Sequence, residues 1–185
     1  MIRFDAAPWP TSLRVVSALA TAALAGATLL LLRAVPQGTR APLAEQFGTA
    51  LTLLPAAILA GGLLFLVRGY AFEDGALFVE RLLWRTRVDL GGLERAWHDP
   101  KAMCRSIRLF GNGGLFAVTG LFRSSRLGTY RAFVTDPKRA VVLGLAARTV
   151  VISPAEPAAF LDQLRTVCPA AALGAPLTGA WPGDR

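Results

Sequence analysis

With 185 residues, 54% of them hydrophobic, the chain has room for one domain and a small additional element. Its two cysteines (Cys104 and Cys168) and single histidine (His98) form neither a disulfide framework nor a metal-ligand spacing, so we predict no metal, no cofactor, a reducing compartment and two buried thiols. The net charge is +8, and nearly all of the basic residues are arginines, which pair bidentately with phosphate. Anionic phospholipids are therefore candidate partners. No motif typical of nucleic-acid binding is present, so we predict no nucleic-acid partner.

Two long uncharged segments follow a polar lead over residues 1–12. Residues 15–32 would span about 27 Å as a helix, close to the hydrocarbon thickness of a bilayer. Residues 47–67 contain Pro55, which membrane helices tolerate. We predict helices over 13–32 and 47–67 that form a transmembrane hairpin. Small residues spaced four apart would let these helices approach closely, although an alanine-rich composition explains the same spacing: Ala18, Ala22, Gly26, Ala57 and Gly61.

Arginine counting predicts the orientation of this hairpin. Two arginines, Arg33 and Arg40, lie in the connecting loop. Six lie outside the hairpin on the two flanking sides, namely Arg3, Arg14, Arg68, Arg81, Arg85 and Arg87. Because positively charged flanks remain on the cytoplasmic side, we expect both termini to be cytoplasmic.

Short strand-like segments separated by turn residues occupy the chain from Gly69 to Ile152. Asp74-Gly75 predicts a tight hairpin, and further turns are indicated at Gly91-Gly92 and at residues 136–139. Six or seven short strands at this spacing predict a small barrel or sandwich. Residues 111–128, which contain the apolar pairs Leu115-Phe116 and Leu121-Phe122, are predicted to be a glycine-rich loop that lies against a membrane or another protein.

An amphipathic helix is predicted over residues 154–168. Ser153 and Glu156 form an S-x-x-E capping box, and Pro154 occupies the first helical position. One apolar stripe predicts that this helix packs on the sheet. Residues 169–185 are predicted to be a flexible tail.

This order of elements resembles the bacterial pleckstrin-homology-like (PH-like) domain proteins. The likeness is strongest over residues 106–116 and continues through residues 120–122, 127–130 and 151–154, so that residues 69–168 are covered. The resemblance implies a strongly bent seven-stranded antiparallel sheet or partly open barrel, with the C-terminal helix closing one end. Together with the predicted hairpin, it leads us to expect a protein of a bacterial inner membrane. It implies little about activity, because a fold is not a function.

No combination of residues typical of catalysis is present, so we predict that the protein is not an enzyme. The candidate acids and bases form no recognisable motif: Glu73, Asp74, Glu80, Asp89, Glu94, His98 and Asp99.

A cationic rim with two interfacial phenylalanines is the candidate site for lipid or partner binding. Arg85 and Arg87 are two apart and would share a strand face, which Arg81 would join if the strand continued through Trp84. The full candidate set is Arg81, Arg85, Arg87, Arg108, Phe116, Phe122, Arg123 and Arg126. Alternatively, these arginines solvate the exterior and the phenylalanines pack internally.

Three functions are consistent with these observations. The first is a membrane-anchored interaction or scaffold module with a protein partner or a second copy as its ligand. The second is a sensor of anionic lipid headgroups. The third is an accessory subunit of a membrane transporter, bound through the helices.

Overall fold

The computed structural model describes residues 2–34, 42–168 and 172–173. Residues 35–41 of the predicted connecting loop (33–46) and most of the predicted tail over 169–185 lie outside the described residues. In chain order the elements are β1 (Ile2–Asp5), α1 (Thr11–Ala34), α2 (Pro42–Leu64), β2 (Gly69–Glu73), β3 (Ala76–Glu80), β4 (Arg85–Asp89), β5 (Leu93–His98), β6 (Ile107–Gly113), β7 (Val118–Ser124), β8 (Gly128–Val134), a 3-10 turn (Pro137–Arg139), β9 (Val141–Leu145), β10 (Arg148–Ile152), α3 (Pro157–Val167) and β11 (Ala172–Leu173).

Part of the predicted polar lead is a strand. Ile2 and Phe4 alternate with charged residues, and β1 pairs antiparallel with β2, placing Phe4 opposite Tyr70. The Phe4 ring also contacts the ring of Phe160, with centroids 5.3 Å apart. The N-terminal residues therefore belong to the β-domain that follows the helices.

The second helix is shifted towards the N-terminus relative to the prediction. It begins at Pro42, a residue suited to the first turn of a helix, and ends at Leu64 rather than Val67. Val67 is buried in the core of the β-domain. Pro55 lies inside the helix, as expected.

The two helices pack against each other, but not through the predicted small residues. Ala18 and Ala22 are exposed, and a Cβ atom added to Gly26 or Gly61 would meet no atom within 4 Å. Of the two explanations for the spacing, the exposed alanines and the open space at both glycines favour the alanine-rich composition.

Among the described residues, α1 is the one helix that is long and apolar enough to cross a membrane; the apolar part of α2, Gly48–Leu64, is shorter. Only 6% of the apolar stretch of α1 is buried against the rest of the protein. Large side chains such as Leu19, Leu29 and Leu30 are consequently exposed.

Two sheets form a mainly-β domain. Their strand orders are β1-β2-β3-β4 and β11-β5-β9-β10-β8-β7-β6, and they form no closed barrel within the described part of the chain. The predicted purely antiparallel arrangement is wrong, because the β9–β10 hairpin lies between β5 and β8 and β10 pairs in parallel with β8. The positive φ angles of Asp74 and Gly75 confirm the predicted tight hairpin between β2 and β3.

The main core lies between the two sheets and is closed by α3. Strand β9 shows the period of two: Val141 and Leu143 contribute to this core, whereas Val142 belongs to a second cluster on the opposite face. From α3, Phe160 and Leu164 are fully buried in the main core, as the predicted apolar stripe requires.

The N-terminus of α3 differs from the predicted capping box. The helix begins at Pro157, and Glu156 makes no capping hydrogen bond through its side chain. The hydroxyl of Ser153 instead accepts the backbone N–H of Thr135 at 2.8 Å. A tertiary hydrogen bond to Thr135, the residue that follows β8, therefore replaces the predicted local one.

The stretch over residues 111–128 is not the predicted loop. Most of it belongs to the β6–β7 hairpin, and only residues 114–117 form the turn between the strands. Gly111 and Gly120 were predicted to be loop residues but instead lie within paired strands. Both have positive φ angles, of 112° and 143°.

Candidate functional site

A cavity of about 630 Å³ lies where α2 meets the β-domain; we call it the junction cavity. One wall is the C-terminal end of α2 and the residue that follows it, including Ile58 and Phe65. The opposite side is formed by strands β6, β7 and β8, including Leu121. Its volume falls within the range of roughly 300–1,000 Å³ that small-molecule sites occupy.

Arg81 is the most unusual residue of this cavity. Its backbone N–H donates to the carbonyl of Trp84 at 3.0 Å, which closes the β3–β4 turn. The residue is 8% exposed, and its guanidinium carbon lies 5.2 Å from the ring centroids of both Phe65 and Phe133. The Nε and Nη1 atoms are buried without a hydrogen-bond partner in the protein.

The cavity has a second cation and a hydroxyl group. Burial, followed by the charge of Arg131, lowers the pKa of Arg81 below its usual range. Arg131 itself stacks over Phe133 at 5.3 Å. Thr119 is 2% exposed, and its hydroxyl is buried without a hydrogen-bond partner. Two guanidinium groups and a hydroxyl group thus line a largely apolar space, together with the polar side chain of Asn112.

Paired glycines leave room for the cavity. Gly111 and Gly120 are directly opposite each other on β6 and β7, and both line the space. A Cβ atom on either residue would collide with the backbone of the partner strand. These glycines therefore bring the strands close together and leave a floor without side chains.

The turn over residues 114–117 fastens the β6–β7 hairpin to the helices. The Ser17 hydroxyl accepts the backbone N–H of Phe116 at 3.1 Å and donates to the carbonyl of Gly114 at 3.4 Å. Asn112 accepts the N–H of Leu115 at 3.0 Å, which holds the turn in shape. Phe116, with φ of 65°, packs against Trp9. The apolar stretch thus lies against the chain's own N-terminal elements.

The sequence model of the family described as "Bacterial PH domain" matches residues 68–168, more than half of the chain. The chain belongs to the bacterial PH domain family. The match confirms the resemblance noted in the sequence, and the two-sheet, mainly-β architecture of the PH domain is consistent with it. Comparison with curated proteins and with solved structures gives no match.

The PH domain does not gather the predicted cationic residues into one rim. Arg85 and Arg87 are exposed on β4, as predicted, but Arg85 is paired with Glu80 at 3.2 Å. Arg81 does not share their face, because β3 ends at Glu80 and the chain turns. Arg108 is exposed on β6, and its side chain lies against Gly113.

The remaining predicted residues also lie apart. Arg123 is near the end of β7 that is farthest from the helices, about 17 Å from Val118 at 3.3 Å per residue. Arg126 pairs with Asp99 at 3.0 Å. Phe122 is buried and stacks on Tyr130, so it belongs to the second cluster of the PH domain rather than to an interface.

Sequence reasoning missed Arg131, Thr119 and the exposed apolar turn Leu82-Leu83-Trp84. Arg131 stands in an alternating strand, where an arginine suggests only a solvent face. Leu83 is 73% exposed, and the adjacent Leu-Leu-Trp flanked by arginines is a signal that the sequence does contain. Arg81, Thr119 and Arg131 are brought to the cavity by long-range packing, which leaves no local pattern in the sequence.

The predicted acids and bases do not assemble into a reactive group. His98 contacts the carbonyl of Lys138 through Nε2 at 3.2 Å, and Asp99 binds the backbone of Lys101 and the side chain of Arg126. Within the described residues, no three His, Cys, Asp or Glu side chains are placed to hold a metal ion. Cys104 is exposed and Cys168 half-buried, so the prediction of two buried thiols is wrong for Cys104.

Proposed function

We propose that this protein is a non-catalytic, membrane-anchored interaction module. In this proposal the two helices form a transmembrane hairpin and present the PH domain to the cytoplasmic face of a bacterial inner membrane. The observation that carries it is the pairing of β1 with β2, the strands that precede and follow the helices. PH-like domains are generally non-catalytic, which supports an interaction role.

The β1–β2 pairing constrains the path of the chain. Since these strands are neighbours in one sheet, the start of α1 and the end of α2 lie on the same side of the domain. A chain that crosses the bilayer through α1 must therefore return through α2. The helices, of 24 and 23 residues, are about 36 and 34 Å long, compared with a hydrocarbon core of about 30 Å. The apolar part of α2, Gly48–Leu64, accounts for about 26 Å of its length, so the proposal requires the remaining turns of α2 to complete the crossing.

The surface beside the helix ends suits a membrane interface. Trp84 packs edge-on against Phe65 just after α2, with ring centroids 5.5 Å apart, and Leu83 beside it is exposed. Arg68 and Arg85 are nearby in the sequence and are exposed. Tryptophan and arginine are typical of the headgroup region, and the excess of arginine outside the hairpin favours cytoplasmic termini.

Thiol labelling in intact cells tests this topology. One variant keeps the exposed Cys104 and carries Cys168→Ser. The matched variant carries Thr39→Cys with Cys104→Ser and Cys168→Ser, so that its single thiol lies between the helices. A membrane-impermeant maleimide should label Thr39→Cys in cells with a permeabilised outer membrane, and Cys104 only after the inner membrane is lysed. Labelling of Cys104 before lysis, or extraction of the protein by alkaline carbonate, would contradict the proposal.

A further inference from the structure

We propose that the junction cavity binds the anionic headgroup of a membrane phospholipid, with the first part of an acyl chain against its apolar wall. The inference rests on the proposed membrane anchoring, because the end of α2 then lies at headgroup depth. Of the predicted cationic rim and its two phenylalanines, Arg81 alone lines this cavity among the described residues.

The unpaired charge of Arg81 is the first argument. A buried cation is costly unless it is paired, and removing an arginine from water calls for a compensating anion. Over residues 2–34 and 42–168, neither Arg81 nor Arg131 forms an ion pair with a carboxylate. An oxyanion between the two guanidinium groups would supply the missing partner to both.

The donor geometry favours phosphate among the oxyanions of a bilayer. Arg81 offers two buried N–H donors, at Nε and Nη1, and the N–H groups of an ionised guanidinium form strong, charge-assisted hydrogen bonds with phosphate oxygens. The Thr119 hydroxyl, on the floor of the cavity, adds an O–H donor to these N–H groups. A phosphate diester has enough oxygen acceptors for all of these groups.

The wall of the cavity favours an attached hydrocarbon chain over a free ion. Ile58, Phe65, Phe110, Leu115 and Leu121 line the space together with the polar groups. Ile58 and Phe65 are each almost half exposed, so the cavity opens to the surface along α2. Phe110 is 81% exposed, and exposure of a phenylalanine side chain to water is unfavourable. A lipid chain in the cavity would cover it.

The charge variant and its control have the same net charge. Arg131→Gln removes one cavity cation from an exposed residue, so the fold should be retained. Arg123→Gln removes another exposed arginine, from β7 outside the cavity. A third variant, Leu121→Trp, fills the cavity without changing its charge. Non-specific attraction to an anionic surface would treat the two arginine variants alike.

The experiment measures ligand binding to the full chain in an uncharged detergent, by thermal stabilisation and native mass spectrometry. The probes are phosphatidylglycerol, phosphatidylcholine, dodecyl phosphate, oleate and inorganic phosphate. Phosphatidylglycerol and dodecyl phosphate should bind best. Arg131→Gln should weaken both about tenfold or more, as expected for loss of a charge-assisted hydrogen bond. Leu121→Trp should weaken them as well, whereas Arg123→Gln should not.

Several outcomes would overturn the inference. Equal weakening by Arg131→Gln and Arg123→Gln would show surface electrostatics only. Inorganic phosphate binding as tightly as dodecyl phosphate would assign a free-anion site, and preferential binding of oleate would assign a fatty-acid site. Because binding is measured in detergent, these results do not depend on topology. Labelling of Cys104 before lysis would disprove the proposed orientation and carbonate extraction would disprove the anchoring, whereas the binding results decide separately whether the cavity holds an anionic lipid.

Discussion

Tyr70 connects separate parts of the domain through one buried hydroxyl group. The group donates to the carbonyl of Phe133 at 2.6 Å and accepts the backbone N–H of Ser153 at 3.0 Å. Its ring packs edge-on against Phe160 of α3, with centroids 6.4 Å apart. Strands β2 and β8 and the segment leading to α3 are therefore held by one side chain that is fully buried.

Tyr70→Phe should destabilise the protein by about 2 kcal/mol, because two buried backbone groups lose their partner. At this chain length the loss corresponds to a fall of about 4–8 °C in the thermal midpoint, measured by circular dichroism of the full chain in detergent. Tyr130→Phe is the matched control. Its hydroxyl donates to the half-buried Ser106, which water can reach, so the loss should be smaller. Equal losses in the two variants would contradict this account.

Alkaline pH should weaken the fold through the same residue. Burial raises the pKa of Tyr70 to about 12 from the usual 10.0. Because the folded-state pKa is the higher one, the stabilisation is complete below pH 10 and is lost as the pH rises towards 12. This difference in pKa limits the loss of folding free energy to about 3 kcal/mol. The chain has only two tyrosines, so a pH series of unfolding midpoints for both Phe variants separates their contributions. An unchanged pH dependence in Tyr70→Phe would contradict the assignment.

At the scale of elements, α2 contacts the β6–β7 turn through a glycine. A Cβ atom on Gly62 would lie 2.5 Å from Leu115 Cδ2 and 3.3 Å from Phe116 Cδ2. A Cβ atom on the neighbouring Gly61 would meet no atom within 4 Å. The absence of a side chain at Gly62 therefore sets the distance between the helix and the turn.

Gly62→Val should push the turn away from α2, whereas Gly61→Val should not. The expected results are faster amide hydrogen exchange over residues 114–117 and a thermal midpoint lowered by the equivalent of about 1–3 kcal/mol, the usual cost of overpacking. Gly61→Val carries the same change in helix propensity, so exchange over residues 114–117 should remain at the wild-type rate. Similar exchange in both variants would show that the contact at Gly62 does not hold the turn.

Elements with local chemistry could be predicted from the sequence, and elements defined by distant partners could not. Asp74-Gly75 marks its hairpin because the positive φ angles are a property of those two residues. Strand β7 was not predicted because Gly120 suggested a loop. The structure shows that this glycine is required by the close approach of β6 rather than by a turn. Arg81 illustrates the same limit for the site, since its side chain is buried against Phe65 and Phe133, which are distant in the sequence.

At the scale of the molecule, the N-terminal strand joins the regions before and after the helices. A strand of four residues has too little periodicity to be recognised, and its partner β2 is more than sixty positions away. For the same reason the junction cavity could not be predicted: it needs α2, the β3–β4 turn and three strands together. The sequence indicated an apolar N-terminal region and a PH-like domain but not how they are connected.

Phe4→Ala tests this connection. Phe4 is half-buried against Phe72 and Phe160, with ring centroids 5.9 and 5.3 Å away, so the loss should be about 2 kcal/mol, below the range for fully buried phenylalanine. If β1 holds the helices to the domain, amide exchange should accelerate over residues 69–73 and over the start of α1. Ile2→Ala, on the same strand at an exposed position, should change neither. Faster exchange confined to residues 2–5 would mean that β1 is a peripheral strand, and the argument that α2 must return the chain across the bilayer would lose its structural support.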